Sequence, residues 1–238
     1  MEYGRLTLIL DDEAGRIGQL ALRLVGLGIN VHYANDFDEA VLLAQQGADD
    51  VGAVIVPSDR AAEWLPTILK RLRLPPAAIV AAGERPDDAT VESLRAQGVR
   101  WALWTLDDDR DARFVVTAAM SETDAGEVRS NLRMPAELEG GVQRGPLDRP
   151  CVIRDLSAAG ALVALDPPGS PGSRITLRIA VGETSLSLRA RVAWSTEYAE
   201  SPALAPGPAM GVRFEDVDAE SRELLVRFLA KQLERFLL

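Results

Sequence analysis

The sequence is short of the residues that anchor metals, disulfides and nucleophilic catalysis. Cys151 is its one cysteine and His32 its one histidine. No disulfide framework and no Cys/His metal centre can be assembled from these, and a reducing compartment fits best. A lone histidine far from the cysteine also leaves no Ser–His or Cys–His pairing, and there is no phosphate-binding P-loop, so an enzyme is not expected. Basic charge is scarce too: 26 Lys and Arg against 36 Asp and Glu give a net charge of -10. That balance argues against a general DNA or membrane binder, though a local basic pocket remains compatible with it. No apolar run approaches the length of a membrane span, and Met1–Leu10 lacks a signal pattern, so a cytoplasmic protein is expected.

What is present falls into two halves with different periods. In the first, apolar runs at Arg5–Leu10, Ile29–Ala34, Val51–Pro57, Ala77–Ala82 and Val99–Thr105 alternate with helical patterns at Ile17–Leu27, Phe37–Gln46, Ala61–Leu72 and Ala89–Gln97. Asp36 and Asp87 stand where N-caps belong, and Gly28, Gly47 and Gly98 where helices stop. Strands apolar on both faces and separated by helices read as a doubly wound parallel sheet. Beyond Ser121–Gly126, a polar stretch, the period changes to two. Arg174–Val181 and Thr184–Trp194 alternate around a turn at Gly182 and Glu183, and shorter runs at Pro135–Glu139, Cys151–Ile153, Ala161–Leu165 and Gly211–Phe214 complete about six strands of a small antiparallel barrel. From Asp218 to Leu238 helical spacing returns, with Leu224, Leu225, Phe228, Leu229, Leu233, Phe236 and Leu237 on one wide face.

The order of elements over residues 1–122, with the acidic run Leu8-Ile-Leu-Asp-Asp-Glu13 after the first strand, resembles a response-regulator receiver domain. The resemblance implies a phosphate-accepting aspartate at the end of the third strand, a hydroxyl after the fourth and a lysine after the fifth. Here those places read Val54-Ile-Val-Pro57, Ala81-Ala82 and Trp104-Thr105-Leu106. Asp59 lies too far along, so phosphorylation is not expected and the domain reads as a pseudo-receiver. Asp11 and Asp12 could hold a divalent cation, but solvating and capping a strand end is the better reading, and no metal is expected. Trp101 and Trp104, three apart on or beside the fifth strand, should face opposite ways: either one reaches an interface or both lie under helices.

In the second half, Arg129-Ser-Asn-Leu-Arg133 precedes the first strand and Asp155-Leu-Ser-Ala-Ala-Gly160 sits between two others. Guanidinium groups fork onto phosphate oxygens and onto the O6/N7 edge of guanine. A carboxylate accepts from the guanine N1–H and N2–H₂ donors, a hydroxyl serves as donor or acceptor, and glycine permits close approach or a positive φ. Each feature alone is weak, since Asp-x-Ser is a common turn. Together they resemble the PilZ family, whose signature is R-x-x-x-R followed by [D/N]-x-S-x-x-G, over residues 127–238.

The resemblance implies a receptor for cyclic di-GMP, with Arg129, Arg133, Asp155, Ser157 and Gly160 as binding residues and no other cofactor. The function expected is a non-catalytic effector that passes nucleotide binding to a protein partner. A ligand-independent adaptor is the alternative. Phe236 and Leu237 are expected to contact the receiver-like domain or a second subunit, with a homodimer preferred.

Overall fold

The computed structural model describes residues 5–11, 15, 17–46, 50–122, 132–182, 184–196 and 207–238. The chain divides into two compact units, one comprising Met1–Ser130 with Glu234–Leu238 and the other Asn131–Leu233.

The first unit is built on β1 (Leu6–Leu10), β2 (Val31–Ala34), β3 (Val51–Pro57), β4 (Ile79–Ala82) and β5 (Trp101–Leu103), all parallel, in the order β2-β1-β3-β4-β5. This is the doubly wound order in which ligands bind outside the carboxyl ends of the strands. All five residues of β1 and all four of β4 are buried, as strands covered on both faces require. Helices α1 (Gly18–Gly26), α2 (Phe37–Gln46), α3 (Ser58–Leu72), α4 (Asp88–Ala96) and α5 (Asp109–Ser121) provide that cover. Asp36 and Asp87 cap as expected: their carboxylates accept from Glu39 N at 2.8 Å and Thr90 N at 2.7 Å. Asp108 does the same for α5, accepting from Arg110 N and Asp111 N. α3 starts directly after Pro57, one turn earlier than the apolar spacing indicates.

The second unit is a closed barrel of β6 (Met134–Arg144), β7 (Leu147–Ser157), β8 (Gly160–Ala164), β9 (Arg174–Val181), β10 (Thr184–Ser195) and β11 (Ala209–Phe214), in the order β10-β11-β8-β7-β6-β9. Alternation turns Leu177, Ile179, Leu188, Ala190 and Val192 inward, each almost fully buried, with less buried neighbours between them. The β9–β10 hairpin closes from Val181 opposite Thr184, with Gly182 at φ +60° supplying the turn. α6 (Ala219–Leu233) lays Leu224, Leu225, Phe228 and Leu229 against the barrel core.

The final helix does not run unbroken to Leu238. A 3₁₀ turn follows α6 at Glu234–Phe236, and the last residues then adopt a role in the first unit. The Phe236 ring lies 4.8 Å from that of Phe114, which meets Trp101 edge-on at 6.1 Å. Leu237 forms an antiparallel bridge to Trp101, and Leu238 N donates to the Arg100 carbonyl at 3.0 Å. Arg235 pairs with Asp111 at 2.8 Å, while burial pushes that carboxyl above its ordinary range. The tail therefore protects the outer edge of β5, which would otherwise present unpaired backbone. Trp101 is 1% exposed beneath it, and Trp104 packs half-buried on the other core.

Phe236→Ala should cost about 3–5 kcal/mol, the range for emptying a buried aromatic site. A chain ending at Leu233 should show red-shifted tryptophan emission as Trp101 meets water. Urea unfolding followed by fluorescence reads both, and an unchanged midpoint in the two variants would show that the tail contributes nothing.

Candidate functional site

At the carboxyl ends of the first unit's strands, polar groups are consumed by the fold. Asp11 is fully buried, and its Oδ2 accepts from Ile17 N and from the Tyr33 hydroxyl, each at 3.0 Å. That fits the capping reading of Asp11. Asp12 lies outside the described residues. Ser58, 4% exposed, follows β3 and donates to the Glu84 carbonyl. Asp59 points outward from the first turn of α3. Among the described residues no group of three or more His, Cys, Asp or Glu side chains could hold a metal ion. No helix among them is long and apolar enough to cross a membrane.

The motif residues of the second unit gather where β6 begins, β7 ends and β8 starts. Arg129 lies outside the described residues. Arg133 immediately precedes β6, and the β6–β7 register places Pro135 opposite Asp155, so the guanidinium arrives beside that carboxylate. Arg133 Nη1 stands 3.5 Å from Asp155 Oδ1, with the two side chains 49% and 25% exposed. At that length and exposure the pair is weak. Asp155 is nevertheless aimed, because the same Oδ1 accepts from Leu162 N at 2.9 Å.

Ser157 and Gly160 play a different part locally. Ser157 is 2% exposed; its hydroxyl donates to the Gly160 carbonyl at 3.1 Å and accepts from Ala159 N and Gly160 N at 3.3 and 3.2 Å. The side chain thus ties the turn to itself. Gly160 does not use a positive φ. A Cβ there would collide with the Val212 carbonyl oxygen, so glycine lets β8 lie close against β11. These two residues shape the turn that carries Asp155.

Two further features of this outer surface escape a reading of the sequence. Trp194 packs with Leu162 and Ala209 in a small cluster separate from the barrel core, lying over Gly211, where a Cβ would run into the indole. The ladder from Trp194 passes through Gly211 and Leu162 to Asp155. Arg191 and Arg213 stand exposed a little further along the same strands. A beside-the-motif position for these groups depends on barrel register, which residue spacing alone does not reveal. A polar cleft of about 360 Å³, lined by Arg174, Thr176, Arg189, Glu215 and Asp216 among others, opens where β9 and β10 meet the residues after β11.

The family model of the PilZ domain matches residues 127–231. Three solved structures illustrate the likenesses. The inhibitor of motility from Bacillus subtilis (MotI/DgrA) is 20% identical, with 46% of this chain and 53% of that one covered and a TM-score of 0.39. The PilZ domain of YcgR from Escherichia coli, solved with c-di-GMP, is 16% identical over 46% of this chain and 93% of its own, TM-score 0.37. A response regulator receiver domain protein from Clostridium thermocellum is 17% identical over 50% and 96%, TM-score 0.42. The match to the motility inhibitor thus spans about half of that protein's length. No curated protein matches the chain.

Gly160→Ala should lower stability by about 1–3 kcal/mol, the usual cost of forcing atoms into a packed site, before any ligand is considered. Thermal unfolding without nucleotide would expose this, and an unaltered melting curve would show that β11 can yield. Incubation with acetyl phosphate should leave the first unit unlabelled, because Pro57 and Ser58 occupy the end of β3. A base-labile acyl phosphate on Asp11, Asp12 or Asp59 by mass spectrometry would contradict that outcome.

Proposed function

Residues 127–231 being a PilZ domain, we propose that the chain is a cytoplasmic, non-catalytic receptor for cyclic di-GMP that passes nucleotide binding to a protein partner. The observation that carries the reading is the meeting of Arg133 and Asp155 at 3.5 Å on the surface of an otherwise acidic chain. A weakly engaged guanidinium and an oriented carboxylate suit a ligand that offers phosphate oxygens and guanine donors together. Arg129 supplies the second guanidinium of the site, while Ser157 and Gly160 hold the turn in shape beneath the ligand. The receiver-like unit is the element proposed to meet the partner. A homodimer is the assembly that light scattering should look for first.

The rival reading, a ligand-independent adaptor, draws on the Ser157 turn, whose hydroxyl is already satisfied by Gly160 and Ala159. Calorimetry separates the two. Cyclic di-GMP should bind the full chain, and Arg129→Ala or Arg133→Ala should each weaken binding by one to two decades, since a charge-assisted contact contributes about 1.5–3 kcal/mol. Cyclic di-AMP should bind far more weakly, because adenine leaves the Asp155 carboxylate without its donors. No heat with either nucleotide would leave the adaptor reading standing, and equal affinity for both would mean that only phosphates are read.

A further inference from the structure

The outer faces of β9, β10 and β11 carry a transverse row of arginines that barrel stability does not call for. Arg191 is directly opposite Arg174 on one side and Arg213 on the other. All three side chains are exposed. Like charges facing each other across antiparallel strands oppose folding, so this row works against barrel stability. Glu215 engages part of it: its Oε1 lies 2.7 Å from Arg191 Nε and its Oε2 3.2 Å from Arg174 Nε. The hydrogen bond from Arg191, with both guanidinium charges behind it, holds the Glu215 carboxyl below the usual range. Arg213 receives no such partner; among the described residues its side chain has neither hydrogen bond nor ion pair.

The same register continues the row into the motif. Arg213 is opposite Gly160, and Gly160 is opposite Ser157. Phe214 N donates to the Ala159 carbonyl at 2.8 Å, which ties the end of β11 to the turn itself. Neighbouring strands run about 4.8 Å apart, so Arg213 stands one strand from the turn and Arg191 two. A cyclic dinucleotide carries two phosphodiesters on opposite sides of its ring, and a ligand seated against Arg133 and Asp155 would bring the second towards this row.

We propose that Arg213 and Arg191 are further anion contacts of the nucleotide site, and that Glu215 is an internal stand-in for the ligand's phosphate, displaced from Arg191 when nucleotide binds. The inference rests on the cyclic dinucleotide reading above and extends it by two strands. It assigns opposite signs to neighbouring substitutions. Removing Arg213 takes away a contact, whereas neutralising Glu215 takes away a competitor.

Titration calorimetry of the full chain with cyclic di-GMP tests it. Arg213→Ala should weaken binding about tenfold, the value of a charge-assisted contact, with Arg213→Lys retaining part of the affinity and both variants melting as the parent does. Glu215→Gln should tighten binding by roughly threefold and steepen its salt dependence, as one repelling charge is lost. Arg178→Ala, which removes an exposed arginine of the same face already bonded to Asp148, should change nothing. If Arg213→Ala and Glu215→Gln both bind like the parent while Arg133→Ala does not, the site ends at the motif and this inference fails alone. Weaker binding by Glu215→Gln would equally overturn it, since the carboxylate would then be support and not competitor. A parent chain that does not bind the nucleotide removes the functional reading and this extension together.

Discussion

Closure of the barrel depends on how nearly β6 can approach β9. At Gly140 a Cβ would run into the Arg178 carbonyl oxygen and the Ile153 side chain, and at Gly141 into the Arg178 guanidinium. Glycine at both positions lets the strands come together, and the ladder from Gly140 opposite Ile179 to Gln143 opposite Thr176 follows. Once that seam is made, the register of the other strands is no longer free, because a slip of one residue would turn every inward side chain outward. Arg133 beside Asp155, Arg213 beside Gly160 and Trp194 over Gly211 are all consequences of one closed register.

The two units handle polar groups at their surfaces in contrasting ways. At the carboxyl ends of the first sheet, Asp11 is enclosed and committed to Ile17 and Tyr33, and Ser58 to Glu84. Such groups set local shape and offer little to a visiting ligand. On the barrel, Asp155 is oriented by one backbone N–H yet keeps a quarter of its side chain exposed, and the arginines around it remain accessible. Orientation by the backbone lowers the cost of ordering a side chain when it meets another group.

Much of this architecture can be read from residue patterns. The apolar runs of β1 and β3 announce a covered parallel sheet, and alternation through Leu177, Ile179, Leu186 and Leu188 announces a barrel hairpin. Other features resist such reading for physical reasons. Gly140 and Gly141 look like strand breakers, yet β6 continues through them because the close approach to β9 needs the missing side chains, and β7 runs on through Pro150 opposite Gly141. Phe236 and Leu237 keep the helical spacing of α6, so nothing local warns that the backbone tightens at Glu234 and turns to the β5 edge. The bonding of Ser157 to its own turn and the close approach of Gly160 to β11 likewise appear only in the folded barrel. Tertiary pairing decides these cases, and residue spacing does not carry it.

Because Glu234–Leu238 count with the first unit, the whole of Asn131–Leu233 is, in chain order, an insertion near that unit's end. During synthesis the sheet from β1 to β5 emerges early, but the strip that seals β5 emerges only after every strand of the barrel. Until then the nascent sheet holds an open edge and the Trp101–Phe114 pair lacks its third ring. An edge of that kind is where pairing with another chain begins. The order of translation thus gives the newborn protein an interval of exposure that lasts until Glu234–Leu238 have been made and have docked on β5.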